Sequence, residues 1–160
     1  MGKVLSTFMN GFPGSVSRSA DELVISMKNA DTAPIPPGAP VFLSSDGKGV
    51  TLTRTNSVFA GFVGVAVRIP SRTPDTYGAD TAPYAPGDPV DILVRGCVVV
   101  TLQYESCRAG GAVHLTLATG AFTTEAEQNA TIQLTNCSWR RAADLSDNHA
   151  ELVIRERNLV

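Results

Sequence analysis

The chain has 160 residues, of which 43% are hydrophobic and 18% are charged, and its formal net charge is −2. A single domain of this length hides roughly 70% of the surface that its unfolded chain exposes, which is enough for an ordinary core. The nearly neutral charge does not favour nucleic acid or an anionic membrane surface as a partner. The longest apolar run, residues 59–67, is too short to span a membrane.

The N-terminus and the cysteines both indicate a protein that is made in a cytoplasm and either stays there or travels in an assembly. Lys3 is followed by only two apolar residues before Ser6, which is too few for a secretory signal. The three cysteines are an odd number, which favours reduced thiols. Cys97 lies in the longest apolar strand and is predicted to be buried. No pair of cysteines has the close spacing of a zinc site, so we expect no metal.

Short runs of alternating apolar and polar residues are the dominant pattern along the chain. Each run has strand length, is rich in Val, Ile and Thr, and is bounded by Gly, Pro, Asn or Asp. No segment shows a long helical stripe. The pattern predicts an all-β fold of nine or ten strands. The main runs begin at Leu23, Val41, Val50, Phe62, Val90, Val113, Ile132 and Leu152.

Glycines mark two further features of this β-rich chain. Asp46-Gly47 lies between the runs 41–43 and 50–52 and predicts a hairpin. Gly96 interrupts the long apolar run 90–102. A bulge or sharp bend at this glycine would let one strand cross the corner of a barrel.

Two long segments, residues 1–20 and 70–88, show no alternation. Segments of this kind are uncommon in compact domains and either bind partners or are disordered. Two interpretations are open, namely loops without a role and arms that contact another subunit. We divide the chain into an N-terminal arm, 1–20, and a β-domain, 21–160. Both segments carry aromatic side chains, which favours the second interpretation: Phe8, Phe12, Tyr77 and Tyr84.

No catalytic pattern is present in the sequence. The nucleophile elbow, the phosphate-binding loops and the zinc-protease motif are all missing. His114 lies in a predicted strand and is expected at the surface or against a neighbouring strand, and His149 lies in a polar turn. Asp88 and Asp91 would face opposite sides of a strand, which is poor geometry for an acid–base pair. We assign no catalytic, metal-binding or cofactor-binding residue.

Three residues near the C-terminus are further candidates for contacts with a partner. Trp139 is expected as an anchor in the core or in an interface, because the chain lacks the basic groove that stacking on a nucleic acid base needs. Arg155 and Arg157 are expected to project from one face of the last strand. Charges on such an edge discourage uncontrolled pairing and could also form salt bridges with a partner.

Several of these features together resemble the capsid decoration, or structural cement, proteins of tailed bacteriophages. One is the turn Gly87-Asp88-Pro89-Val90, which leads into an apolar strand with a glycine at position 96. Others are the sequence FVGVAV at residues 62–67 and the opening GFPGSVSRSAD at residues 11–21. The resemblance extends over residues 10–157.

The resemblance implies a β-barrel or a jelly-roll-like sandwich without enzymatic activity or a cofactor. It implies that the protein binds outside an icosahedral shell, at junctions between capsomers, as a dimer or trimer. The expected partners are then the major capsid protein and further copies of this chain, with no nucleic acid and no membrane. The expected location is the exterior of a virion assembled in the cytoplasm of a host bacterium.

Two other functions stay open at this point. The first is another phage structural component, from the tail or from head completion, which would be present in few copies rather than over the whole shell. The second is a β-barrel binding module or a small hydrolase, which needs a pocket where titratable groups converge near one of the histidines.

Overall fold

The structure is a computed structural model that describes residues 11–52, 61–69, 82–102 and 105–157. These residues form nine β-strands and no α-helix, which confirms the predicted all-β class. No described helix is long and apolar enough to cross a membrane. The strands are β1 (Val16–Asn29), β2 (Pro40–Leu43), β3 (Gly49–Thr51), β4 (Phe62–Ala66), β5 (Pro89–Thr101), β6 (Ala112–Thr116), β7 (Phe122–Thr123), β8 (Thr131–Trp139) and β9 (His149–Ile154).

Five strands close into a ring. The sheet order runs β1-β3-β2-β4-β5, and β1 also pairs with β5, so the first and last strands of this group are joined. A cluster of apolar side chains from all five strands fills the ring, as expected for a small barrel whose interior holds only side chains. Its fully enclosed members include Ile35, Val41, Val50, Tyr84, Val90 and Ile92.

The remaining strands form an open sheet that packs on the outside of the ring. Its order is β5-β9-β8-β6-β7, so β5 belongs to both halves. The core between the halves combines side chains of the open sheet with others from β2, β4 and the part of β5 before Gly96. The fold is therefore a closed group of five strands with a sandwich-like second layer. The side chains from β2, β4 and that part of β5 are Phe42, Phe62, Val65 and Leu93.

Gly96 allows β5 to pass from one half to the other. Its φ of 126° favours glycine, and a β-carbon there would lie 3.2 Å from the Cα of Glu22 on β1. The register with β1 shifts at this point, because Arg18 faces Cys97 while Leu23 already faces Arg95. The predicted irregularity is confirmed, and the extra residues lie on β1.

The predicted hairpin and the predicted burial of Cys97 are also confirmed. Leu43 pairs with Val50, and Gly47 in the turn has a φ of 70°. Its N–H donates to the carbonyl of Ser44 at 2.9 Å. All three cysteines are free and buried.

The first strand begins earlier than the sequence indicates. Alternation starts near Glu22, whereas β1 starts at Val16, so residues 16–20 belong to the sheet rather than to an arm. Backbone pairing explains the difference, because the Val99 N–H donates to the Ser15 carbonyl at 3.0 Å. Residues 1–10 and 70–81 lie outside the described residues.

Candidate interaction surfaces

The sequence Phe12-Pro13-Gly14-Ser15 forms a tight turn at the boundary between the two halves. The N–H of Ser15 donates to the carbonyl of Phe12 at 3.0 Å, and Gly14 has a φ of 81°. Proline and glycine at the two central positions are the residues that a type II turn favours. The turn therefore has a defined backbone geometry that the local sequence itself specifies.

Contacts on both sides hold this turn in place. The Gly14 N–H donates to the carbonyl of Val99 at 2.8 Å, and the Gly14 carbonyl accepts from the N–H of Arg68 at 2.8 Å. A β-carbon at Gly14 would lie only 2.8 Å from the backbone nitrogens of Arg68 and Gly38. The turn is thus fixed to β5 and to the segment after β4, and only glycine fits at its third position.

Phe12 is displayed at the surface by this turn. Its side chain is 45% exposed, and the guanidinium carbon of Arg68 lies 4.2 Å from the ring centroid. This is a cation–π geometry, and it covers one side of the ring. A rigidly held, partly exposed aromatic loses little conformational freedom when a partner covers it, which is the usual character of an interface anchor.

An apolar cleft of about 630 Å³ lies next to the turn. Prolines supply one side of it, and the ends of β5, β6 and β7 supply the other, so it opens between the ring and the open sheet. Its lining residues are Pro13, Pro36, Pro37, Gly38, Ala39, Pro40, Thr101, Glu105, Thr116, Ala121 and Phe122.

Glu105 is the one titratable residue among the described lining residues of the cleft. Its carboxylate accepts hydrogen bonds from Thr123 Oγ1 at 2.8 Å, Thr124 N at 2.6 Å and Thr124 Oγ1 at 2.8 Å. These bonds hold the segment that follows β7. Within the described part of the chain Glu105 forms no ion pair.

Tyr84 and Trp139 are both placed in the interior rather than at the surface. Each is 1% exposed. The Tyr84 hydroxyl donates to the carbonyl of Val67 at 2.5 Å, and its backbone pairs with Ile35, which closes the end of the ring. Trp139 pairs with Leu152 in the core between the two halves. The expectation of Tyr84 as a partner anchor is therefore corrected, and Trp139 takes the core role.

The two arginines follow the last strand instead of projecting from it, because β9 ends at Ile154. Both arginines are exposed. The Arg155 N–H donates to the Asn136 carbonyl at 2.9 Å, and its guanidinium donates to Ser138 Oγ at 3.0 Å. Arg155 is thus partly engaged within the chain. Phe8 and Tyr77 lie outside the described residues.

His114 lies between two strands. It is 8% exposed and faces Thr123 on β7 and Gln133 on β8, which confirms the cross-strand alternative. Its Nδ1 has no hydrogen-bond partner. Nowhere in the described ranges do three His, Cys, Asp or Glu side chains come together as a metal site.

Some structurally important polar residues gave no signal in the sequence. Glu151 is buried in β9, where it accepts from Ser17 Oγ at 2.6 Å and lies 3.4 Å from the Arg141 guanidinium. Arg68 and Glu105 belong to no recognisable sequence motif. Their roles depend on contacts between residues distant in sequence, which periodicity does not report.

The fold and these surfaces define an all-β protein with an exposed aromatic side chain beside an apolar cleft. The family model described as "Structural cement protein (E217 gp24/Pam3 gp6)" matches residues 4–156. The chain therefore belongs to this family of phage structural proteins, which confirms the resemblance read from the sequence. As a member of it, the protein is a virion component that stabilises the capsid.

A solved structure has the same fold. A chain in the structure titled "The capsid of Myoviridae Phage XM1" matches with a TM-score of 0.74, covering 97% of this chain and 96% of that chain. The sequence identity is 13%, so this likeness supports the architecture alone. No curated protein matches the chain significantly.

Proposed function

We propose that this protein binds the exterior of an icosahedral phage shell at junctions between capsomers and cements them. Its partners are the major capsid protein and other copies of itself, arranged as a dimer or trimer. It acts as a binding protein without catalysis, with neither nucleic acid nor membrane as a partner, and joins the virion in the cytoplasm of a host bacterium. The observation that carries this proposal is the exposed Phe12 ring on its fixed turn.

Cementing needs many modest contacts that act together rather than one strong contact. Copies joined in an oligomer present several contacts on one unit, which raises the effective concentration of each and the overall avidity. The net charge of −2 gives little long-range attraction, so moderate salt is expected to weaken binding only slightly. Apolar contacts therefore have to supply most of the affinity.

Several candidate contact residues complete this proposal. Phe12 is the proposed anchor, because its side chain is 45% exposed, and Phe8 and Tyr77 are candidates by sequence in the two long segments. The exposed Arg155 and Arg157 are candidates for ion pairs with an acidic surface of the partner. Tyr84 and Trp139 stabilise the folded domain that holds these contacts.

Cryo-electron microscopy of purified particles tests the proposal. The expected result is density for this fold on the outer surface of the shell, at junctions between capsomers. Purified protein added to shells that lack it is expected to fill the same positions. Density confined to the tail or to one vertex would contradict the proposal and favour a tail or head-completion component.

A further inference from the structure

The first strand has a long edge that no described strand covers. On one side β1 pairs with β5 from Val16 to Lys28, whereas on the other side β3 pairs with it only at Lys28 and Asn29. From Val16 to Met27 this second side has no strand beside it in the described ranges. We call this side of β1 the open edge.

The backbone of β1 directs hydrogen-bonding groups to the open edge at alternate residues. Just after the strand, the Ala30 N–H donates to the Val50 carbonyl at 2.9 Å, on the side where β3 lies. Successive residues of a strand direct their N–H and C=O groups to opposite sides, and the register with β5 has no shift from Val24 onward. The N–H and C=O groups of Val24 and Ser26 therefore point to the open edge, where they can pair with another strand.

The second half of the open edge lacks the usual protection against such pairing. Edge strands are commonly protected by charges, bulges or proline. The first half has this protection, because the register shifts there and Asp21 forms an ion pair with Arg95 at 2.6 Å. Residues 23–27, in contrast, contain no charge, proline or glycine. Two of the four large apolar side chains that are exposed in the described part of the chain lie here, Leu23 at 40% and Val24 at 39%.

Opposite charges flank this uncharged stretch. Glu22 precedes it and Lys28 follows it; both are exposed, and neither forms an ion pair within the described part of the chain. In an antiparallel pair of two copies with Val24 opposite Val24, Glu22 of one copy is diagonal to Lys28 of the other. Diagonal neighbours are about 7–8 Å apart, which a long side chain can span. A parallel pair in register would instead place like charges opposite each other, so the charges favour the antiparallel pair.

We propose that two copies of this protein form a symmetric dimer by antiparallel pairing of their β1 strands along the open edge, with the two Val24 residues at the two-fold axis. The Val24 residues exchange two backbone hydrogen bonds, and each Glu22 lies within reach of the Lys28 of the other copy. Because both copies use the same surface, the interface closes after two chains. This inference deepens the proposed function and rests on it in one respect, namely that copies lie next to one another on the shell.

An exchange of charges across the axis tests the pairing in the full-length protein. Glu22→Lys and Lys28→Glu are each expected to raise the dissociation constant of the dimer at least about tenfold in sedimentation equilibrium, because each brings like charges together at both ends of the pair. The double variant restores opposite charges and is expected to return to within about threefold of wild type.

Glu125→Lys is the matched control for this exchange, because it makes the same change of charge at an exposed residue outside β1. Its dissociation constant is expected to equal that of wild type. Equal constants for Glu22→Lys and Glu125→Lys would overturn the proposal. A double variant that dimerises no better than the two single variants would overturn it as well.

A cysteine at the axis tests the register, both in solution and on shells that lack the protein. Directly opposite residues of antiparallel strands have Cα atoms about 4.5–5.5 Å apart, which a disulfide can span, so Val24→Cys should give linked pairs on mild oxidation. Leu145→Cys, at a residue that is 63% exposed and outside β1, is the control and should link at least about tenfold less. The native thiols are buried and give a low background. Equal yields at the two positions would overturn the proposal.

The remaining outcomes separate the occupants of the edge and the two levels of the proposal. A wild-type trimer, which has no two-fold axis, would overturn the dimer. Val24→Pro removes an N–H on the open edge while leaving the pairing with β5 in place. Loss of decoration in this variant, with no linked pair for Val24→Cys, would overturn the dimer in favour of a strand of the major capsid protein. Linked pairs without decoration would support the dimer and contradict the cement function, whereas decoration without linked pairs would overturn the dimer and leave the cement function standing.

Discussion

Replacing Phe12 by alanine should weaken binding to the shell while leaving the domain folded. Burying an aromatic side chain removes about 150–250 Å² from water, so the 45% of Phe12 that is exposed corresponds to about 90 Å² for a partner to cover. At about 25 cal/mol per Å² this contact contributes about 2 kcal/mol, or roughly a 30-fold change in the dissociation constant per site.

The same substitution costs the folded chain little. The lost contact with Arg68 is a cation–π interaction at an exposed site, worth about 0.5–1 kcal/mol. For a domain of this size a loss of that order lowers the melting temperature by only a few degrees. A large loss of binding with a small loss of stability therefore separates an interface role from a structural role.

The assay compares occupancy on shells that lack the protein, measured against the concentration of wild type and of variants. Leu145→Ala is the matched control, because this leucine is 63% exposed but lies outside the turn and the cleft. Wild-type occupancy curves are expected for the control and a shift of at least tenfold for Phe12→Ala. An unshifted curve for Phe12→Ala would refute the assignment of this ring as an anchor.

Three further changes have defined outcomes. Gly64→Ala should lower the free energy of unfolding by about 1–3 kcal/mol, because its β-carbon would lie 2.2 Å from the Leu93 carbonyl oxygen. Gly61→Ala, in open space, should change the free energy of unfolding by less than about 0.5 kcal/mol, and similar urea midpoints for the two variants would contradict this. Burial raises the pKa of the Cys137 thiol from 9.0 to about 12. The contribution of this thiol to the free energy of unfolding is therefore complete below pH 9, and it is lost as the pH rises towards 12, because the thiol ionises at lower pH in the unfolded chain than in the folded one. Cys137→Ala should show a smaller alkaline loss in urea titrations, and parallel pH curves would argue against it. Deleting residues 1–10 should leave a cooperative thermal transition but lower the occupancy of the protein on shells. Normal occupancy would show that binding depends on other residues.

Local signals in the sequence predicted the β-architecture well. The hairpin at Asp46-Gly47 and the irregularity at Gly96 depend on backbone conformations that glycine adopts easily, so they can be recognised from a few adjacent residues. The alternation of apolar and polar residues located most strands, because it too can be recognised from a few adjacent residues. The start of β1 was missed because five of the six residues 17–22 are polar and this segment contains the register shift opposite Gly96, where the two-residue pattern is broken.

The candidate site was only partly predictable. Phe12 and Tyr84 were both selected because an aromatic in a segment without alternation is unusual, but Phe12 is 45% exposed whereas Tyr84 is buried and closes the ring. The two differ in their distant contacts, Arg68 for Phe12 and Ile35 for Tyr84. Glu105 lies in the cleft because the fold brings together residues that are distant in sequence, so no local sequence pattern identifies it.

The continuity of β5 has a mechanical consequence for a protein under load. β1 and β5 both extend from the ring into the open sheet and pair along most of their length, on either side of Gly96. A force along these strands that pulls the two halves apart is therefore carried by two continuous backbones, and the hydrogen bonds between them, each worth about 1 kcal/mol, share the load between β1 and β5. The turn at Phe12 is bonded to β5 through Val99, so tension applied at Phe12 passes into a strand that reaches both halves of the fold.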